Sequence, residues 1–370
     1  MKVPFLKLKK HNLLFKNDFE NAFSKFLESG EYVLGKEVEA FESEFSNFIG
    51  SEFGIGVSNC LDGLELLLKS INIKPGDEVL VPSNTYIATW LSIINVGAKP
   101  IPVEPTLDTF NIDPKNIELA ITKRTRAIIV VHLYGLPCQM DEINEIARKN
   151  SIYVFEDAAQ AHGAKYKNNY AGNLSDGASF SFYPSKNIGA LGDAGIVSTN
   201  SEIIANKIRL LRNYGSQKKY HNEEIGRNNR LDELQAIFLR IKLKSIIQEN
   251  KKREVLAKRY IENLSKVDIP IKLPIIRDKY LESSWHLFVI LLKKREDLSD
   301  FLSSRNIDTM KHYPIPPHKQ RAFKGCNLSQ LKLPISEEIH ANCLSLPISF
   351  LHTEDEIDYI SETILEYFSY

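Results

Sequence analysis

The sequence predicts a three-layer α/β domain with a mostly parallel sheet, followed by a smaller α+β unit. Three observations lead there. Apolar runs of strand length alternate with segments of helical periodicity from residue 53 to residue 200. Residues able to do chemistry stand where several of those runs end, as at Ser58–Leu61, Tyr86, Asp157 and Lys186. Active groups of open α/β sheets gather at that carboxyl edge. Finally, the charge-rich segment QENKKREVLAKRYIENL separates this alternation from a C-terminal part with fewer strands. The expected division is 1–250 for the large domain and 251–370 for the small one.

Taken in order, residues 17–29 carry Phe19, Phe23, Phe26 and Leu27 at helical spacing, and Gly30 ends the run. Val38, Phe41, Phe45 and Phe48 mark a second helix, after the turn GEYVLG. Phe53–Val57 reads as a strand and Leu61–Ile71 as a helix, with Ser58 or Asn59 as its cap. A helix N-terminus directly after a strand is a ready phosphate site, because its first N–H groups are free. Gly54 and Gly56 do not make a dinucleotide fingerprint, since Asn59 stands where the third glycine belongs. Within 75–82 a turn leads into a strand, and further strands are expected at 99–105, 126–132, 152–155 and 178–183, with helices after residue 83 and over 142–148. A helix at 201–213 precedes the polar loop NYGSQKKYHNEEIGRNN, 213–229, long enough to suggest a function of its own. Further helices are expected at 231–247, 295–305 and 353–368, with a strand around 285–292. Pro314, Pro316 and Pro317 stiffen HYPIPPHKQ into an extended segment.

The centre of the chemistry is ASFSFYPSKNIGALGDAG, 178–195. Its apolar strand stops at Pro184, and Lys186 follows before a glycine-rich loop. A lysine just beyond a strand end is held by a rigid scaffold while its amine reaches a cleft, which suits Schiff-base formation with a carbonyl. Upstream, in IYVFEDAAQAHGA, Asp157 stands at another strand end, 29 residues before Lys186. Pyridoxal phosphate requires a lysine for its aldehyde and an acid beside its ring nitrogen. A carboxylate there favours the pyridinium by about 1–3 pKa units. A solvated lysine is the plainer reading of Lys186 alone; the pairing with Asp157 weighs against it.

EDAAQAHGA followed by SFYPSKNIGALGDAG resembles the DegT/DnrJ/EryC1/StrS sugar-nucleotide aminotransferases, and the likeness runs over nearly the whole chain. The resemblance implies an aspartate aminotransferase-like fold and pyridoxal 5′-phosphate as cofactor. It implies catalytic roles for Lys186 and Asp157, and cofactor contacts from Cys60, Leu61, Tyr86, Gln160, Ser181 and Asn228. Cys60 and Leu61 would hold the phosphate by their backbone, with Ser181 beside them; Tyr86 would stack on the ring; Gln160 would donate to its phenolic oxygen. Asn228 would reach the neighbouring subunit's phosphate, making a homodimer with shared sites. Tyr32, Tyr183, His312 and Tyr313 are candidates for sugar-nucleotide contact. His162 is assigned no catalytic role.

C-4 aminotransferases of the family commonly carry S-F-H before the lysine. Here Tyr183 gives S-F-Y-P, which with HYPIPPH is similar to enzymes of dTDP-3-keto-6-deoxyhexoses. The implied reaction is amination at C-3, with glutamate as donor, on the way to cell-surface glycans such as lipopolysaccharide O-antigen, or to glycosides. The rivals are a C-4 aminotransferase, a dehydratase (which would carry histidine in place of Lys186), and a regulatory or scaffold protein that binds the cofactor without turnover.

Composition agrees with a globular protein. The 47 basic and 47 acidic residues balance, so no basic excess points to nucleic acid or an anionic membrane. No apolar run is long enough for a membrane helix, and the N-terminus lacks a secretory h-region, so a cytoplasmic location is expected. Cys60, Cys138, Cys326 and Cys343 form no C-x-x-C pair, and no H-E-x-x-H occurs, so no metal site is expected.

Overall fold

A computed structural model describes residues 1–369. Phe53–Val57 (β1), Glu78–Pro82 (β2), Lys99–Val103 (β3), Thr125–Val131 (β4), Tyr153–Asp157 (β5), Gly177–Ser181 (β6) and Gly195–Thr199 (β7) form one sheet in the order β1–β7–β6–β5–β4–β2–β3. All run parallel except β7, which pairs antiparallel with both β1 and β6. It follows β6 through a loop without a crossover helix, so it returns in the opposite direction.

Helices cover both faces, which is why the central strands are buried at nearly every position rather than at alternate ones. On one face Ile55, Val57, Val79, Val81, Phe155 and Val197 pack against Leu64, Leu67, Trp90 and Ile208 of helices Cys60–Ser70, Ile87–Asn95 and Glu202–Arg212. On the other, Ile128, Val130 and Val154 meet Met140, Ile143 and Ala147 of helix Met140–Asn150. Beside them Phe180, Phe182 and Ile196 meet Phe41, Phe45 and Ile49 of helix Lys36–Ile49.

Both sheet edges are closed by side chains. At β1, Gly56 N–H donates to Glu42 Oε1 (2.7 Å) and its carbonyl accepts from Arg212 Nη1 (2.6 Å). The glycines of G-I-G serve this close approach. A Cβ on Gly54 would lie 2.5 Å from the Glu42 carbonyl oxygen, and one on Gly56 2.9 Å from Leu231. At β3, Pro100 and Pro102 remove N–H donors from an edge strand, which blocks further pairing.

The C-terminal unit pairs Phe288–Leu291 with Cys343–Leu346 antiparallel and covers them with helices Arg295–Ser304 and Glu354–Tyr367. Helix Ile246–Leu264 runs unbroken across residue 250 and gives Leu256, Tyr260 and Leu264 to this second core, which Val3 also joins. The helix expected over 231–247 is two, Glu233–Leu243 and Ile246–Leu264, divided where Ser245 N–H bonds back to the Lys242 carbonyl. The strand expected around 285–292 begins only at Phe288, after Trp285 takes a left-handed φ of 47°. The polar loop at 213–229 contains a short hairpin, Ser216–Lys218 with His221–Asn222. No helix among the described residues is long and apolar enough to cross a membrane.

Candidate active site

Asn59 leaves β1 in an extended conformation and caps helix Cys60–Ser70, its side chain accepting from Asp62 N–H at 2.9 Å. The N–H groups of Cys60 and Leu61, in the first turn of that helix, have no partner among the described residues. Two glycines allow the helix to start this close to the sheet. A Cβ on Gly195 would stand 2.6 Å from the Asn59 carbonyl carbon, and one on Gly63 would stand 2.2 Å from Ser179 Oγ. Ser179 Oγ in turn donates to the Cys60 carbonyl (3.0 Å). Ser181, at the end of β6, accepts from Tyr183 N–H (3.3 Å), which leaves its own O–H free to donate. Free N–H groups and a free hydroxyl at a helix N-terminus make an anion cradle.

Asp157 is the last residue of β5 and is buried. Its Oδ2 accepts from Thr89 Oγ1 at 2.8 Å, and its Oδ1 from Ala159 N–H at 3.2 Å. The Cys60 thiol points at Oδ1 from 3.6 Å. Burial, then the charge of Asp157, hold that thiol well above its ordinary pKa, so it stays protonated.

Lys186 follows β6, its N–H turned back to the Tyr183 carbonyl (2.8 Å). Its amine bonds to no group among the described residues and faces Asp157 and Cys60. Burial lowers its pKa, and Asp157 offsets part of that. Gln160 is oriented by a backbone donor: Tyr134 N–H gives its proton to Oε1 (2.6 Å), which turns Nε2 into the cleft, where it donates to Tyr313 OH (3.0 Å). The Tyr313 ring lies against Tyr86, centroids 5.1 Å apart. Burial raises the Tyr313 phenol's pKa, and Asp157 adds to it. His312 carries the backbone carbonyl that Tyr134 OH holds, and its Nδ1 lies 2.8 Å from Ser345 Oγ.

Cys60, Leu61, Tyr86, Asp157, Gln160, Ser181, Lys186 and Tyr313 thus converge on the carboxyl edge of β1, β2, β5 and β6. Three other candidates stand apart within the single chain. Asn228 is exposed and pairs with Asn213, beside helix Glu202–Arg212. Tyr32 is half exposed and packs on Phe26 (5.0 Å between centroids). Its turn is fixed by the buried Glu233, whose carboxylate accepts from the N–H groups of Gly35, Glu37 and Val38. Tyr183 is 55% exposed. His162 is fully buried against Phe180 and Phe182. Thr85, Thr89 and Tyr134 escaped sequence reasoning. The signal for the threonines was their four-residue spacing at the start of an otherwise apolar helix, which puts them on one face.

The model of the DegT/DnrJ/EryC1/StrS aminotransferase family matches residues 14–365. The chain belongs to this family. It is 47% identical over 365 residues to dTDP-3-amino-3,6-dideoxy-alpha-D-galactopyranose transaminase of Aneurinibacillus thermoaerophilus, covering 99% of each chain. It is 43% identical over 350 residues to dTDP-3-amino-3,4,6-trideoxy-alpha-D-glucose transaminase of Streptomyces venezuelae, covering 94% of this chain and 91% of the relative. The crystal structure of S. venezuelae DesV in complex with a ketimine intermediate superposes with a TM-score of 0.96 at 42% identity, over 99% of this chain and 98% of that one.

The aminotransferase's cofactor is pyridoxal 5′-phosphate. The donor set suits it: unpartnered N–H groups for a phosphate, an unbonded amine for an aldehyde, a buried carboxylate for a ring nitrogen, and an amide donor aimed between them.

Proposed function

We propose that this aminotransferase converts a nucleotide-linked 3-keto-6-deoxyhexose, dTDP-3-keto-6-deoxygalactose or its glucose counterpart, to the 3-amino-3,6-dideoxy sugar, with glutamate as donor. The observation that carries the reading is the unbonded Lys186 amine facing the buried Asp157 carboxylate across one cleft. The two relatives named above, both described as 3-amino sugar transaminases, support C-3 as the position.

Bound pyridoxal phosphate supplies an aldehyde that exchanges with the donor's amine and a ring that accepts the electron pair left at the reacting carbon. The chain's own residues do the rest. Cys60, Leu61 and Ser181 would hold the phosphate, and Tyr86 would offer a flat face to the ring. Asp157 would lie beside the ring nitrogen, where a carboxylate favours the protonated pyridinium. Gln160 Nε2 would donate to the phenolic oxygen. The Lys186 amine would carry the proton between the donor carbon and the adjacent one; burial lowers its pKa, toward the range where an amine both takes and gives a proton. His312 and Tyr313 would line the side on which the sugar enters, and the exposed Tyr183 would contact it from the solvent side.

Asn228 acts in the neighbouring subunit of a homodimer. Val33 pairs with Asp232 and Leu191 N–H bonds Gln235, so the exposed Tyr32, Val33 and Leu191 border one helix, Glu233–Leu243, as an interface would require. The product feeds cell-surface glycan synthesis in the cytoplasm, a reducing compartment that suits four unpaired cysteines.

The test is incubation with glutamate and 3-keto or 4-keto dTDP-6-deoxysugars, with the product read by NMR. A C-3 amine is expected; a C-4 amine overturns the regiochemistry. Mixing Lys186→Ala with Asn228→Ala chains should restore activity in heterodimers, and no recovery refutes the shared site.

A further inference from the structure

The acid that faces the cofactor ring is held by a chain of hydroxyls. Thr85 Oγ1 lies 2.9 Å from Thr89 Oγ1, and Thr89 Oγ1 lies 2.8 Å from Asp157 Oδ2. Thr89 is fully buried, Thr85 and Asp157 nearly so. An ionised carboxylate only accepts, so Thr89 must give its single proton to Asp157. Thr89 therefore accepts from Thr85, and the chain has one direction: Thr85 to Thr89 to Asp157. Aligned donors polarise one another, so the second hydroxyl strengthens the bond the first makes to the anion.

We infer that Thr85 and Thr89 are positioning residues, a hydroxyl relay that stabilises the Asp157 anion and aims it at the ring nitrogen. The relay joins two groups that address the same ring. Thr85 immediately precedes Tyr86, whose ring lies against Tyr313, and Thr89 lies in the first turn of helix Ile87–Asn95. That turn cannot drift, because Trp90 Nε1 donates to the Pro82 carbonyl (3.0 Å) and Ser92 Oγ to the Thr89 carbonyl (2.8 Å). Ala159 N–H donates to the other carboxylate oxygen, Oδ1, and the Cys60 thiol, which also faces the Ser179 carbonyl, lies 3.6 Å from Oδ1. They leave Oδ2 dependent on Thr89 for its rotation.

The inference rests on the cofactor assignment, and its test separates the two. Wild-type, Thr89→Val, Thr89→Ser and Thr85→Val proteins are loaded with pyridoxal phosphate labelled with 15N in the ring, and the ring-nitrogen chemical shift and cofactor Kd are measured. Wild-type protein that retains no cofactor overturns the cofactor reading itself. With cofactor bound, Thr89→Val should move the 15N shift toward the unprotonated pyridine and raise Kd by roughly ten- to a hundredfold, the worth of one charge-assisted hydrogen bond. It should lower kcat with little change in KM, because the substrates do not touch Thr89. Thr89→Ser should restore all three. Thr85→Val keeps the bond to Asp157 and removes only its reinforcement, so a smaller shift of the same sign is expected. A Thr89→Val protein with the wild-type shift and Kd overturns the relay. If Thr89→Val does not fold, Thr85→Val decides alone: an unchanged shift overturns the relay and a partial one supports it.

Discussion

His162 offers a sharp quantitative test of how this core was assembled. Its ring is fully buried between Phe180 and Phe182, and neither ring nitrogen makes a well-formed hydrogen bond. Burial lowers its pKa from 6.5 to about 3; the Lys186 charge adds to this, and the nearby Ser181 backbone offsets part of it. Below pH 6.5 the unfolded chain takes up a proton that the folded chain refuses, so stability falls as pH falls. The slope approaches about 1.4 kcal/mol per pH unit, and the loss integrates to about 2 kcal/mol by pH 5. His162→Phe and His162→Leu remove this proton. Either change also alters packing, by about 1–3 kcal/mol in a filled core, but that part does not depend on pH. The assay is equilibrium urea denaturation from pH 8 to pH 5, at fixed protein and cofactor concentrations. The difference between wild type and variant should be constant above pH 7 and move in the variant's favour by about 2 kcal/mol at pH 5. Parallel curves across the whole range would mean that His162 is charged or solvated in the folded protein, and the reasoning would be refuted.

Two further outcomes are expected. Lys186→Ala should release the cofactor on dialysis, lose the visible absorption of the holoenzyme and reduce turnover by at least roughly 10²–10⁴-fold, the worth of a general acid–base group; sustained sugar amination would contradict the mechanism. Gly63→Ala forces a Cβ to 2.2 Å from Ser179 Oγ, so the helix carrying the phosphate cradle must lift from β6. A stability loss of about 1–3 kcal/mol should accompany a higher cofactor Kd, and adding Ser179→Ala should recover part of both.

The site was legible where chemistry coincides with a strand end. Asp157 and Lys186 stand out because an acid and an amine interrupt apolar runs, and the helix after β1 stands out because strand, polar cap and apolar stripe follow in nine residues, 53–61. Other features left no such mark. The antiparallel β7 carries the same apolar pattern as its parallel neighbours, since a buried strand looks alike in either direction. Glu233 lies in an amphipathic helix and reads as a surface acid, yet it is buried under the turn around Tyr32, 195–198 residues away in sequence.

Local pattern alone thus determined the alternation of elements, the capped helix start after β1 and the acid and amine placed at strand ends, because each depends on residues a few positions apart. Only the tertiary structure decided which neighbours those groups keep: the threonine hydroxyls on Asp157, the Tyr134 N–H that orients Gln160, and Val3 in the C-terminal core. A hydrogen bond's energy depends on distance in space, and the chain brings these partners together from up to hundreds of residues apart only when the sheet closes and water leaves.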